Sequence, residues 1–145
     1  MSEKSLAVDA WESLFRAQVS VLRQLNAEFP TAELSFNEYD VLFNLARQPE
    51  RRLRIRDLNR HLLLTQPSVS RLVDRLVQRQ LVTKQSDPGD GRGTIVLSTD
   101  PGYELFRKVA VIHAESIRRR VGGVLDAEEL RELTTLTEKL RLGGQ

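Results

Sequence analysis

Apolar residues recur at helical spacing from the start of the chain. Trp11, Leu14, Phe15, Val21, Leu22, Leu25 and Phe29 form one broad stripe, with Ala7, Ala10 and Ala17 beside it. The period predicts a helix over about 6–28, stopped by Pro30. The stripe is wider than a lone surface helix needs, so burial on two sides is expected, within the subunit and against a partner. A second helix starts at Ser35: Ser35 and Glu38 have the spacing of a capping box, and Leu34 and Tyr39 hold the positions of a hydrophobic staple. Tyr39, Leu42, Phe43 and Ala46 carry its apolar face, and Gln48-Pro49-Glu50 reads as a turn.

Leu53-Arg54-Ile55 is a short extended stretch, and Leu58 and Leu62 predict a third helix over about 56–62. Thr65 is placed to cap a fourth helix, with Pro67 in its first turn, where a missing N–H costs little. Val69, Leu72, Val73, Leu76 and Val77 give that helix its core face as far as about Gln80. Residues 81–84 and 94–98 read as two strands, the second β-branched at Thr94, Ile95 and Val96, joined by a long polar tip at 87–93. Thr99 is placed to cap a fifth helix carrying Leu105, Phe106, Val109, Ile112, Ile117 and Val121, which Gly122-Gly123 ends or bends. Asp126 and Glu129 start a last helix whose Leu130, Leu133, Leu136 and Leu140 approach the spacing of a helix–helix seam. The predicted fold class is mainly α with a small β-hairpin.

Composition narrows the function. A chain of 145 residues, 40% hydrophobic and 29% charged, fits one globular domain. No apolar run approaches the roughly 20 residues of a membrane span, and Met-Ser-Glu-Lys-Ser opens no secretory signal. A soluble cytoplasmic protein with no membrane partner is the expectation. There is no cysteine, which removes disulfides, thiolate metal sites and thiol redox sensing. His61 and His113 are the only histidines, too few and too far apart for a metal site, and no cofactor is expected. Phosphate loops of Walker or Rossmann type, HExxH and a convincing acid–base set are all missing, so an enzyme reading is poor. Asp87 and Asp90 lack the spacing and terminal glutamate of a calcium loop.

Charge is uneven. Residues 1–46 carry three basic and seven acidic side chains, 47–92 eleven and five, and 93–145 eight of each. A basic centre between acidic and neutral ends suits a polyanion. The order helix, tight turn, helix, hairpin is that of a winged helix-turn-helix, whose second helix enters the major groove. The fourth helix has the required two faces, with Gln66, Ser68, Ser70, Arg71, Asp74 and Arg75 opposite the apolar side. Gln and Arg are suited to reading adenine and guanine edges. At the hairpin tip Arg92 stands between Gly91 and Gly93, where a guanidinium can enter a narrow minor groove. Asp90, or Asp74 from the fourth helix, is the expected partner orienting that guanidinium. The plainer alternatives are an amphipathic surface helix, a solvated turn, or a winged helix used only for protein contact; the basic centre and Arg92 disfavour the last.

The run Thr-Gln-Pro-Ser-Val-Ser-Arg-Leu-Val-Asp-Arg-Leu (65–76), then Leu81-Val82, then Asp87-Pro88-Gly89-Asp90-Gly91-Arg92 with Val96, Thr99 and Gly102, resembles the MarR family of bacterial transcriptional regulators. The likeness extends over nearly the whole chain. It departs at Ser98, where leucine is usual, at Gly91, where a basic residue is common, and at Arg56, where a short polar cap is usual. The resemblance implies a single domain over 1–145, with a winged lobe at about 35–99 and dimerisation helices at about 5–29 and 100–142. It implies a homodimer whose two recognition helices, about one DNA turn (~34 Å) apart, read a pseudopalindrome. The DNA-binding set is then Gln66, Pro67, Ser68, Ser70, Arg71, Asp74, Arg75, Asp90 and Arg92, with phosphate contacts from Arg54, Arg71, Arg75, Lys84 and Arg92. It also implies repression relieved by a small aromatic or phenolic effector held between the dimer helices and the lobe. Trp11, Phe15 and His113 are the candidate lining residues, each otherwise an ordinary core position.

Overall fold

A computed structural model describes residues 2–62 and 66–143, with Gln66 and Pro67 described by their backbone. The expected cap at Thr65 lies outside the described residues. The chain divides into two compact units, one of residues 30–112 and one of residues 1–29 with 113–145.

The first of these units is built from α2 (Phe36–Ala46), a 3-10 turn (Pro49–Arg51), β1 (Arg52–Arg54), α3 (Ile55–His61), α4 (Gln66–Gln78), β2 (Val82–Asp87), β3 (Asp90–Ser98) and the opening turns of α5 (Asp100–Ile117). α2 starts where its capping box predicts: the Glu38 amide donates to Ser35 Oγ at 3.1 Å and the Ser35 amide to Glu38 Oε1 at 2.9 Å. Val41, Leu42 and Leu45 of α2, Leu58 of α3, and Val69, Leu72, Val73 and Leu76 of α4 are all buried and form the core with Val82 and Val96 of the sheet. β1 does more than extend the chain. It pairs with β3 (Leu53 opposite Val96), so the hairpin becomes a three-stranded antiparallel sheet ordered β1-β3-β2.

The hairpin is also longer than its apolar residues suggest. β2 reaches Asp87 and β3 begins at Asp90, leaving Pro88 and Gly89 as the turn in place of an open tip over 87–93. Polar Gln85, Ser86, Asp87 and Asp90 join the ladder through their backbones, with a register shift between Ser86 and Asp87. α3 starts one residue earlier than expected, after Arg54, which makes no side-chain cap bond.

α4 ends in a left-handed residue, Gln80 (φ 62°), with the Leu81 amide on the Leu76 carbonyl and the Gln80 amide on that of Val77. Thr99 closes the adjoining corner: its hydroxyl donates to the Gln80 carbonyl at 2.8 Å and accepts from the Gly102 amide at 3.0 Å. A Cβ at residue 102 would stand 2.0 Å from the Leu81 carbonyl oxygen, so only glycine permits this approach. Ser98, where leucine was the family expectation, is buried and donates to the Thr99 carbonyl at 3.3 Å.

The other unit holds α1 (Glu3–Glu28), the end of α5, a π-type turn (Arg118–Gly122) and α6 (Ala127–Gly143). Glu28 at the end of α1 takes Arg119 Nη2 and Arg120 Nε, each at 2.5 Å. These two guanidiniums hold its carboxyl down at about 2. α6 opens with reciprocal bonds between Asp126 and Glu129, at 3.0 and 2.9 Å. None of its described side chains is buried.

Candidate nucleic-acid interface

α4 separates its two faces sharply. Val69, Leu72, Val73 and Leu76 are sealed in the core, while Arg71, Asp74 and Arg75 are exposed and Ser68 and Ser70 partly so. Burying four aliphatic side chains stabilises the helix by about 1.5–3 kcal/mol each, which frees the opposite face for polar work. Ser68, Arg71, Asp74 and Arg75 line an open cleft of about 530 Å³ together with Asn37 from α2, a residue the apolar pattern gave no reason to single out. Arg71 reaches back to Ser68 Oγ at 3.5 Å. Gln66 and Pro67 belong to the first turn of this helix.

The C-terminal half of the helix is braced twice. Arg79, just past α4, donates to Glu38 Oε2 at 3.0 Å and to the Glu33 carbonyl at 2.7 Å. Burial pushes the Glu38 carboxyl up, but the Ser35 amide and the Arg79 guanidinium outweigh it, and the net shift is downward. Lys84 of β2 lies 2.7 Å from Asp74 Oδ1, tying the hairpin to α4. Asp74 is therefore engaged by a lysine of the wing and not by Arg92. Asp90 does meet Arg92, through the backbone: its Oδ1 accepts from the Arg92 amide at 3.1 Å. The guanidinium of Arg92 is exposed, and among the described residues it makes no ion pair. Arg71 and Arg75 likewise make none there.

The buried carboxylate of the wing is Asp87, 4% exposed. Its Oδ1 accepts from the Gly89 amide at 2.9 Å, and Arg54 Nε lies 2.6 Å from its Oδ2. Arg54, Arg56, Asp87, Asp90 and Arg92 together line a cleft of about 200 Å³. Their side chains come from four different elements, a grouping that helical or strand periodicity cannot reveal.

The remaining candidates lie in the terminal-helix unit. Trp11 and Phe15 stand side by side on α1, ring centroids 5.8 Å apart and both about half exposed (57% and 50%). His113 is buried, edge-on to Phe29 at 5.2 Å, and burial lowers its pKa. His61 is exposed at the end of α3. Among the described residues no cluster of His, Cys, Asp and Glu could hold a metal ion, and no helix is long and apolar enough to cross a membrane.

Residues 32–93, from just before the α2 capping box to one residue beyond Arg92, match the sequence profile of the MarR family. The whole chain is 28% identical to the HTH-type transcriptional regulator MhqR of Bacillus subtilis (strain 168), covering 97% of that protein. It superposes on AbsC, a MarR family transcriptional regulator from Streptomyces coelicolor, with a TM-score of 0.80 at 28% identity, over 100% of this chain and 98% of that one. Sco3205, a MarR family regulator from the same organism whose structure is in complex with DNA, gives a TM-score of 0.82 at 27% identity, over 100% of this chain and 91% of its own. The MarR-family pattern thus covers the winged lobe, and the chain as a whole is similar to MarR family regulators in sequence and fold. It is a winged-helix, DNA-binding transcriptional regulator, and the proteins it is similar to are regulators rather than enzymes. In this winged-helix fold, α3 and α4 are the helix-turn-helix and β2–β3 is the wing. The family pattern pointed to Arg92 and to the serine–arginine face of α4. The Arg54–Asp87 pair went unnoticed because its two members lie far apart in sequence and meet only through the sheet.

Proposed function

We propose that this MarR-like chain acts in the cytoplasm as a homodimeric repressor on a pseudopalindromic operator, and that a small aromatic or phenolic molecule releases it. The observation that carries the reading is the α4 surface, where Arg71 and Arg75 stand exposed beside Ser68 over a fully apolar inner face. Arginine there can read a guanine edge, and serine lets the backbone approach phosphate. Arg92 on the wing adds a minor-groove contact. Gln66, Pro67, Ser70, Asp74 and Asp90 complete the proposed surface, Asp74 and Asp90 chiefly by holding Lys84 and the Arg92 amide. The lobe of about 35–99 reads DNA, and the helices of about 5–29 and 100–142 join two chains.

An effector would favour a dimer whose lobes are wrongly spaced for DNA. Trp11, Phe15 and His113 are its proposed contacts. Trp11 is the only tryptophan, so its fluorescence reports on them directly.

The test is a binding titration on the DNA upstream of the coding region at several salt concentrations. The logarithm of affinity should fall linearly with the logarithm of salt, and Arg71→Ala should weaken binding and relax preference at one base per half-site, by about 1–3 kcal/mol. Binding that ignores salt, or that Arg71→Ala leaves intact, overturns the reading. A reporter driven by the same DNA separates repressor from activator.

A further inference from the structure

Asp87 is the feature of the wing that DNA contact alone leaves unexplained. A carboxylate 4% exposed, beside a turn of two residues, loses the hydration it would have in an open loop. Such a charge persists only where a cation and hydrogen bonds replace water. One oxygen accepts from the Gly89 amide inside the turn; the other makes no hydrogen bond among the described residues and is held by the ion pair with Arg54 from β1.

The two partners join different parts of the sheet. Arg54 is anchored by backbone pairing to Ile95 in β3. Asp87 sits at the register shift where β2 turns toward β3. On its other side Asp87 packs against Gly93, where an added Cβ would lie only 3.2 Å from the Asp87 Cβ. Gly93 is the residue next to Arg92. The contacts therefore run from β1, through Arg54 and Asp87, to the backbone that carries Arg92. A two-stranded ribbon with a polar tip has little packing of its own to set its twist, and this chain of contacts supplies a third point of attachment. The neighbouring arginine shows the contrast: Arg52 pairs at 3.4 Å with Glu50, whose side chain is 74% exposed, and that contact reaches no part of the hairpin tip.

We propose that Arg54 is a positioning residue for DNA binding: seated on buried Asp87, it fixes the wing in the pose that presents Arg92. This rests on the reading that Arg92 meets DNA. Arg54 acts through Arg92 and not as an independent phosphate contact. Lysine cannot substitute fully, since it lacks the planar guanidinium that places Nε against one carboxylate oxygen.

The experiment is a double-mutant cycle in DNA affinity, read by fluorescence anisotropy on a short mixed-sequence duplex. Arg54→Ala and Arg92→Ala should each weaken binding, Arg54→Ala by about tenfold, within the range seen for coupled neighbours. The double variant should bind no more weakly than Arg92→Ala alone. Asp87→Asn should reproduce Arg54→Ala, and Arg54→Lys should recover only part of the loss. Additive losses would show Arg54 contacting DNA by itself and overturn the proposal, as would unchanged affinity in Arg54→Ala. If Arg92→Ala alone changes nothing, the wing reading fails and the proposal falls with it, so the two failures are told apart. Should Arg54→Ala unfold, Arg54→Gln keeps the side-chain volume, and movement of the Arg92 amide resonance in that variant replaces the stability-sensitive readout. An Arg92 resonance unmoved in a folded Arg54→Gln protein rejects the strut.

Discussion

In the lobe of residues 30–112, Val41, Leu42, Leu45, Leu58, Leu72 and Leu76 are shielded almost completely from solvent. In the unit formed by the two ends of the chain, Leu6, Trp11, Phe15, Leu136, Leu140 and Leu142 are half exposed or more. Both sets follow helical spacing, and both would be read as core by periodicity alone. The difference lies in who provides the second surface. In the lobe, α2, α3, α4 and the sheet bury one another. On α1 and α6 the stripes face outward from a single chain, as expected of helices whose partner is a second copy. Burying each such side chain would contribute about 1.5–3 kcal/mol, and this supports the proposed homodimer.

The contrast can be broken most forcefully from the lobe side. Leu42→Ala should cost about 2–5 kcal/mol of stability, measured by denaturant unfolding at a fixed protein concentration. A loss well under about 1 kcal/mol would mean that the lobe core is looser than its burial implies. The matching change in the other unit is Leu136→Glu with Leu140→Glu. It should leave the lobe folded while weakening self-association by more than about 2 kcal/mol, the scale of an interface hot spot. Sedimentation velocity reads the outcome directly, and an unchanged oligomer would remove these leucines from the interface.

Smaller effects sharpen the same comparison. Among the described residues each unit has one helix with a reciprocal cap. Ser35→Ala, part-buried in the lobe, should cost about 1 kcal/mol, and Asp126→Ala, exposed at the start of α6, about 0.5 kcal/mol. Equal losses would show that α6 is more constrained than its exposure indicates. Both units hold a carboxyl below its ordinary value, Glu38 in the lobe and Glu28 in the other. Glu28 is held at about 2 by Arg120 and Arg119, below its ordinary value of 4.5. Its contribution is thus fully present above about 4.5 and is lost as pH falls through about 2. A carboxyl NMR titration of Glu28 should show that low midpoint, and Arg120→Ala should raise it.

Much of the lobe was legible because its signals are local. Ser35 with Glu38 and the apolar faces of α2 and α4 each lie within a few residues, and each appears where spacing places it; in the other unit Asp126 with Glu129 does the same. The wing boundaries were not legible in the same way. Gln85, Ser86, Asp87 and Asp90 have the composition of a loop, yet their backbones complete the ladder, since strand pairing there is set by the partner strand and not by side-chain type. Asp90, by proximity in sequence, and Asp74, from the fourth helix, were the expected partners of the Arg92 guanidinium. The structure gives Asp74 to Lys84 and Asp90 to a backbone amide, and brings Asp87 to Arg54, because contacts through the sheet depend on register. The exposed stripes of α1 and α6 were read correctly as apolar faces, but a single chain carries no mark of which surface will cover them.

Thr99 has one more consequence. Its hydroxyl holds the carbonyl of Gln80 and the amide of Gly102 at once, while Gly102 lies against the Leu81 carbonyl. The tail of the recognition helix and the head of α5 are thereby joined at a single atom. Removing that hydroxyl breaks both bonds together, so fraying of the two helix ends is coupled through it. They open as one cooperative segment, and the local stability of the DNA-reading helix at that end is set by a residue that has no reason to touch DNA.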